Sequence, residues 1–155
     1  MAKKTAKGNF WLLISSIAIC QGAGILGSLV MVPAISGWYQ TLVKPSFNPP
    51  NWLFGPVWTL LYFLMGISLY LIWTRKGELK WFWAQLILNS LWSFLFFGLK
   101  SPGLALIEIV FLWLTILVTI KSFLKVYRPA AYLLYPYLAW VSFASILNFS
   151  VWILN

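Results

Sequence analysis

The sequence predicts an all-α membrane protein built as a five-transmembrane-helix bundle, and three observations carry that prediction. Of its 155 residues, 62% are hydrophobic and 8% charged, more apolar surface than the interior of a soluble fold of this length can hide. The charges are confined to short stretches: none lies between Lys7 and Lys44, Lys44 and Arg75, Lys80 and Lys100, or from Pro129 onward. Each gap holds a span of about 20 residues, which crosses a hydrocarbon core of roughly 30 Å. Gly103 to Ile120, broken only by Glu108, adds a fifth. Backbone in lipid must satisfy its own hydrogen bonds, and long apolar runs do so as helices, whereas a barrel needs short alternating strands.

The first helix is expected over 10–32. Ala18, Gly22, Gly24, Gly27 and Ser28 give it a face of small residues on which another helix can approach closely, inside the bundle or in a second copy. Residues 33–53 then form the one connection long enough to have its own shape. It leads into KPSFNPPNWLFGPVW, residues 44–58, with Pro45, Pro49, Pro50 and Pro56. Pro56 alone suits the first turn of a helix; three more prolines ahead of it point to a stiff cover holding Phe47 and Trp52 over the outer end of the bundle.

The second helix, 54–74, places Trp58, Tyr62, Met65 and Leu69 at helical intervals. The third, 79–99, repeats polar groups every four residues at Gln85, Asn89 and Ser93, with Trp92 and Phe96 beside them. The fourth, 103–124, carries Glu108 about 9 Å along the helix from Pro102, within reach of the interface. An ionisable group inside a span is a functional candidate, yet a shallow carboxylate meeting water or a hydroxyl explains it as well; Thr115 and Thr119 share its face. The fifth, 130–153, gathers Tyr137, Trp140, Ala144 and Asn148 on one face. The whole chain, 1–155, reads as a single domain.

The net charge of +9 does not make a nucleic-acid surface, because the cations fall in the gaps between spans. Lys3, Lys4 and Lys7 precede the first helix, Lys44 follows it, Arg75, Lys76 and Lys80 follow the second, Lys100 the third, and Lys121, Lys125 and Arg128 the fourth. That alternation places the N-terminus in the cytoplasm and the C-terminus outside. The first apolar run is long for a signal peptide and lacks a small-x-small cleavage site, so residues 1–30 are expected in the mature chain. A single Cys20 excludes an internal disulfide. Without histidine the chain has no serine-type triad, no zinc site of the usual His kinds and no His-ligated haem. Its two acids, Glu78 and Glu108, are expected on opposite sides of the membrane, which argues against an acid/base pair.

Tryptophans near helix ends, Trp11, Trp38, Trp73, Trp81, Trp83 and Trp152, fit an interfacial belt. Trp58, Trp92 and Trp140 lie deeper on three helices. Flat rings with a few amides are what a flat apolar ligand requires, although amides and indoles also hold helices together.

Three stretches, WYQTLVKPSFNPPNWLFGPVWTLLYFLMG, AQLILNSLWSFLFFGL and LLYPYLAWVSFASILNFSVWILN, occur in the order that resembles the translocator protein family, also called tryptophan-rich sensory proteins or peripheral benzodiazepine receptors. The resemblance covers about residue 20 to the end. It implies a five-helix membrane receptor that binds porphyrins and other tetrapyrroles, and isoquinoline and benzodiazepine ligands, in a pocket beneath the first loop. It implies ligand contacts at Trp58 and Tyr62 in GPVWTLLY, at Asn89 and Trp92 in LNSLW, and at Trp140, Phe143, Ala144 and Leu147 in AWVSFASIL. Tyr39, Pro45 and Trp52 are the implied loop cover. The C-terminal cholesterol motif of animal members is absent: LNFSVWILN has Phe149 where a Tyr is needed, and no following cation.

The reading is therefore a receptor without an obligatory cofactor that takes protoporphyrin IX or haem as ligand, stacks it on Trp58, Trp92 and Trp140 and orients it with Asn89. Membrane lipid and a second copy of the chain are its expected partners, and the membrane of a bacterial cell its expected location. A porphyrin-degrading, light-dependent enzyme and a tetrapyrrole or sterol transporter are the alternatives; a short chain with no inverted repeat argues against the transporter.

Overall fold

The computed structural model describes residues 8–155, so the orienting Lys3, Lys4 and Lys7 lie outside the described residues. The elements run α1 (Phe10–Ser36), α2 (Trp38–Thr41), α3 (Phe54–Trp73), α4 (Lys80–Ser93), α5 (Pro102–Leu124), α6 (Arg128–Tyr132) and α7 (Tyr135–Leu154). There is no strand among the described residues. Four stretches are long and apolar enough to cross a membrane: Phe10–Ser36, Asn51–Trp73, Pro102–Leu124 and Arg128–Leu154. The protein is an all-helical membrane protein.

Three expectations about helix limits need correction. The first helix does not stop before Pro33 but runs to Ser36. A proline in the last turn removes only one backbone bond, and the Gly37 N–H donates to the Ala34 carbonyl at 3.2 Å to close the end. The third helix is α-helical for only 14 residues and continues as a π-helix, Phe94–Gly98, marked by the Leu99 N–H donating to the Phe94 carbonyl at 2.7 Å. The last helix is broken into α6 and α7, because Pro136 has no N–H for the Tyr132 carbonyl and its ring crowds that turn.

α1 packs on α3 and α4; α5 packs on α4 and α7; α6 closes against α5 and α3. Close approach is set by missing side chains. A Cβ on Gly66 would lie 2.6 Å from the Ile17 Cα, and one on Gly24 would lie 2.6 Å from the Tyr62 ring. Gly24 and Gly27 thus face the bundle interior, whereas a Cβ on Gly22 would meet open space. Hydrogen bonds supply the rest of the glue, since lipid offers helices no hydrophobic drive to associate. Tyr62 of α3 donates to Asn89 Oδ1 of α4, and Asn89 Nδ2 donates to Tyr137 Oη of α7 at 2.7 Å, which joins three helices through one amide. At the end carrying Arg75, its guanidinium lies 3.6 Å over the Tyr127 ring.

The buried side chains form two clusters. One, around Met65, Leu69, Phe82, Leu112, Ile116 and Phe123, fills the half of the bundle toward Arg75. The other gathers Tyr39, Phe54, Phe96, Phe97, Ala105 and Leu147 under the first loop. Trp58, Trp92 and Trp140 pack against both and occupy the junction. Glu108 does not meet the hydroxyl partner expected of it: it is buried on the inward face of Ala105, Ile109 and Leu112, and neither carboxylate oxygen has a hydrogen-bond partner. Thr115 and Thr119 extend no polar seam from it, because each donates to its own helix, at Phe111 and Thr115 respectively.

Candidate functional site

The three junction tryptophans converge because three helices present them at one depth. Trp58 and Trp140 meet edge to face, 6.4 Å apart at 88°, and Trp140 meets Phe54 at 6.2 Å and 74°. Trp92 stacks on Phe96 at 5.1 Å and 23°. Around these rings lies a cavity lined by Met31, Tyr39, Phe54, Trp58, Trp92, Phe96, Phe97, Trp140, Ala144, Leu147 and Asn148. Perpendicular and offset arrangements are the favoured ones for ring quadrupoles, so the lining is stable as a wall.

Polar groups at this cavity are few and placed. The Trp92 indole N–H donates to Asn148 Oδ1 at 3.0 Å, and Asn148 Nδ2 donates to the Pro102 carbonyl at 2.8 Å, which fixes both side chains. The Trp140 Nε1 is buried and has no hydrogen-bond partner, an unmet donor on one of the rings that line the cavity. The cavity's volume is about 30 Å³. That is room for a water molecule; a drug-sized ligand occupies a site of roughly 300–1,000 Å³. Taking up a flat ligand therefore requires the rings to move.

A roof covers the site. Tyr39, 2% exposed, donates to Asn48 Oδ1 at 2.7 Å and abuts Phe54 and Phe97. Burial pushes its phenol up to about 12. Phe47 meets Phe143 at 6.2 Å, and the Asn155 side chain both accepts from the Val43 N–H and donates to its carbonyl, each at 2.9 Å. Prolines Pro45, Pro49 and Pro50 limit the segment between these anchors.

The expected site residues divide. Trp58, Trp92, Trp140, Ala144, Leu147 and Tyr39 line the cavity. Phe143 sits behind Trp140 against Phe47, and Pro45 lies in the roof, half-buried. Trp52 does not cover the cavity: it is 70% exposed, because in the 3-10 turn Asn51–Leu53 successive residues fan out by about 120° and only one side faces the bundle. Asn89 is absent from the lining, its amide engaged by Tyr62 and Tyr137. Tyr62 instead stacks under Trp58 at 5.6 Å and lines a separate groove between α1 and α3. Met31, Phe54 and Phe97 belong to the cavity without having been singled out. Phe97 arrives through the π-helix, whose wider turn brings two consecutive phenylalanines toward the cavity, and no period in the sequence announces that.

No group of three or more His, Cys, Asp or Glu side chains suited to a metal occurs among the described residues.

Residues 16–153 match the model of the TspO/MBR family. The chain is 47% identical over 147 residues to the tryptophan-rich protein TspO of Chlorobaculum tepidum, covering 90% of this chain and 92% of that one. It is 44% identical over 152 residues to the protein of the same name from Archaeoglobus fulgidus, covering 95% and 99%. With the human translocator protein it shares 41% identity over 123 residues, covering 74% and 73%.

Proposed function

Because the chain belongs to the TspO/MBR family of membrane sensor and translocator proteins, we propose that it is a receptor for flat apolar ligands, porphyrins and other tetrapyrroles first and isoquinoline or benzodiazepine types second. The carrying observation is the convergence of Trp58, Trp92 and Trp140 on one cavity whose Trp140 indole N–H has no partner. Porphyrin, as protoporphyrin IX or haem, is cargo in this reading and not a resident cofactor. Indole faces supply stacking area, burial supplies the free energy, and the Trp140 N–H meets one polar atom of the ligand. The site's role is to hold and orient a ring system; the polar role falls to Trp140, while Asn89 holds the scaffold.

In the membrane, α4 and its π-helical continuation form a fifth span, antiparallel to α5, beside the four that length and hydropathy identify. The excess of cations at the end bearing Arg75, Lys76, Lys121 and Lys125 faces the cytoplasm, the roofed cavity faces outward, and the membrane is that of a bacterial cell. A second copy of the chain is the expected partner within it.

The test is quenching of tryptophan fluorescence by protoporphyrin IX in lipid nanodiscs. Replacing Trp58 and Trp140 together with leucine weakens binding by about tenfold or more if the cavity is the site. Binding that survives the double replacement unchanged rules the cavity out. Pigment recovered intact after illumination separates holding from degradation.

A further inference from the structure

The groove between α1 and α3 is larger than the cavity it adjoins, about 150 Å³ against about 30 Å³. Its lips are Ile25 and Ser28 on α1 and Gly55 and Thr59 on α3; Ile25 and Thr59 are exposed to the side of the bundle, where lipid lies. Gly24 and Gly27 thin its inner wall, and Gln21 Nε2, donating to the Thr59 carbonyl at 2.9 Å, ties the two helices along it. Two residues, Met31 and Trp58, line both the groove and the aromatic cavity. The Trp58 indole is thus the partition between lipid-facing space and the inner rings. Met is the other shared side chain, and it is unbranched and adaptable.

We propose that flat, bilayer-soluble ligands reach the aromatic cavity sideways from the lipid, through the groove between α1 and α3, with Trp58 as the movable partition. The inference rests on the receptor reading above. The route over the top is held shut by the Tyr39 and Asn48 hydrogen bond, the two Asn155 bonds to Val43 and the Phe47 contact with Phe143. The lateral route needs one ring to turn. An apolar ring system concentrates in the bilayer, so the side opening faces the phase in which the ligand is abundant. Turning Trp58 also joins the two spaces, which relieves the shortage of volume in the inner cavity.

The test is kinetic. Stopped-flow quenching by protoporphyrin IX preloaded in the bilayer of nanodiscs is compared for Ser28→Leu on one lip, Thr59→Phe on the other and Asn155→Ala in the roof. Each lip variant slows both association and dissociation by about tenfold or more with the equilibrium constant held within about twofold, because a narrowed passage changes rates alone. Asn155→Ala leaves both rates as they were. Two lip variants on different helices guard against one that folds poorly, and their helical content and monodispersity are checked first. Unchanged rates in both lip variants, or acceleration of both rates by Asn155→Ala, overturns the lateral route while leaving the receptor reading intact. Absence of quenching in the unsubstituted protein overturns the receptor reading and this route with it.

Discussion

Single side chains divide the labour between scaffold and site. Asn89 uses one amide to join α3, α4 and α7, through Tyr62 and Tyr137. Asn89→Leu is expected to destabilise the bundle by about 1–2 kcal/mol, a typical strong interhelical bond in lipid, and to leave the binding of preformed folded protein little changed; unfolding in mixed micelles checks the first and quenching the second. Tyr39 is the matching anchor of the roof. Its phenol titrates at about 12 when folded, above the ordinary value of about 10. A group raised in the folded state stabilises fully below its unfolded pKa and is lost as pH rises through the folded one. The roof is therefore expected to hold to pH 10 and loosen between pH 10 and 12, read as proteolysis in the 42–50 segment, with Tyr39→Phe abolishing the transition. The sequence singled out Trp58, Trp92 and Trp140 by their depth on three helices, and the structure brings them to one cavity; it could not show that Asn89 is engaged by Tyr62 and Tyr137, since a periodic amide looks the same whether it faces a ligand or two phenols.

At the scale of helices, the decisive contacts are those where a side chain is missing. Gly66 faces the Ile17 backbone, so Gly66→Ala forces α1 from α3 at about 1–3 kcal/mol, as overpacking does. Gly22→Ala meets open space and is expected to change little. Equal thermal stability of the two variants would refute this account of helix approach. Charge gaps placed the helices well because a charge in lipid is costly, and that cost acts on every span alike. They could not show the π-helix at Phe94–Gly98 or the break at Leu133–Leu134, which depend on local hydrogen bonding. Pro136 was a readable signal of the second; nothing in FLFFG signals the first. Pro33 misled in the other direction, because near a helix end it costs one bond and ends nothing.

Across the whole molecule, the buried side chains form one cluster toward Arg75 and an aromatic one beneath the first loop, with Trp58, Trp92 and Trp140 packed at the junction between them. A cavity of about 30 Å³ under a tethered roof is too small for a flat ligand, so the proposed receptor function requires Trp58 and Met31, which line both the cavity and the groove beside it, to move. The most direct measurement is photolabelling with a diazirine-bearing isoquinoline in nanodiscs, followed by mass mapping of the modified residues. The account predicts labels on Met31, Phe54, Phe97, Trp140 and Leu147, several of which no spacing argument would choose. Labels confined to exposed Trp11, Trp81 and Trp152, with none in the cavity, would contradict it.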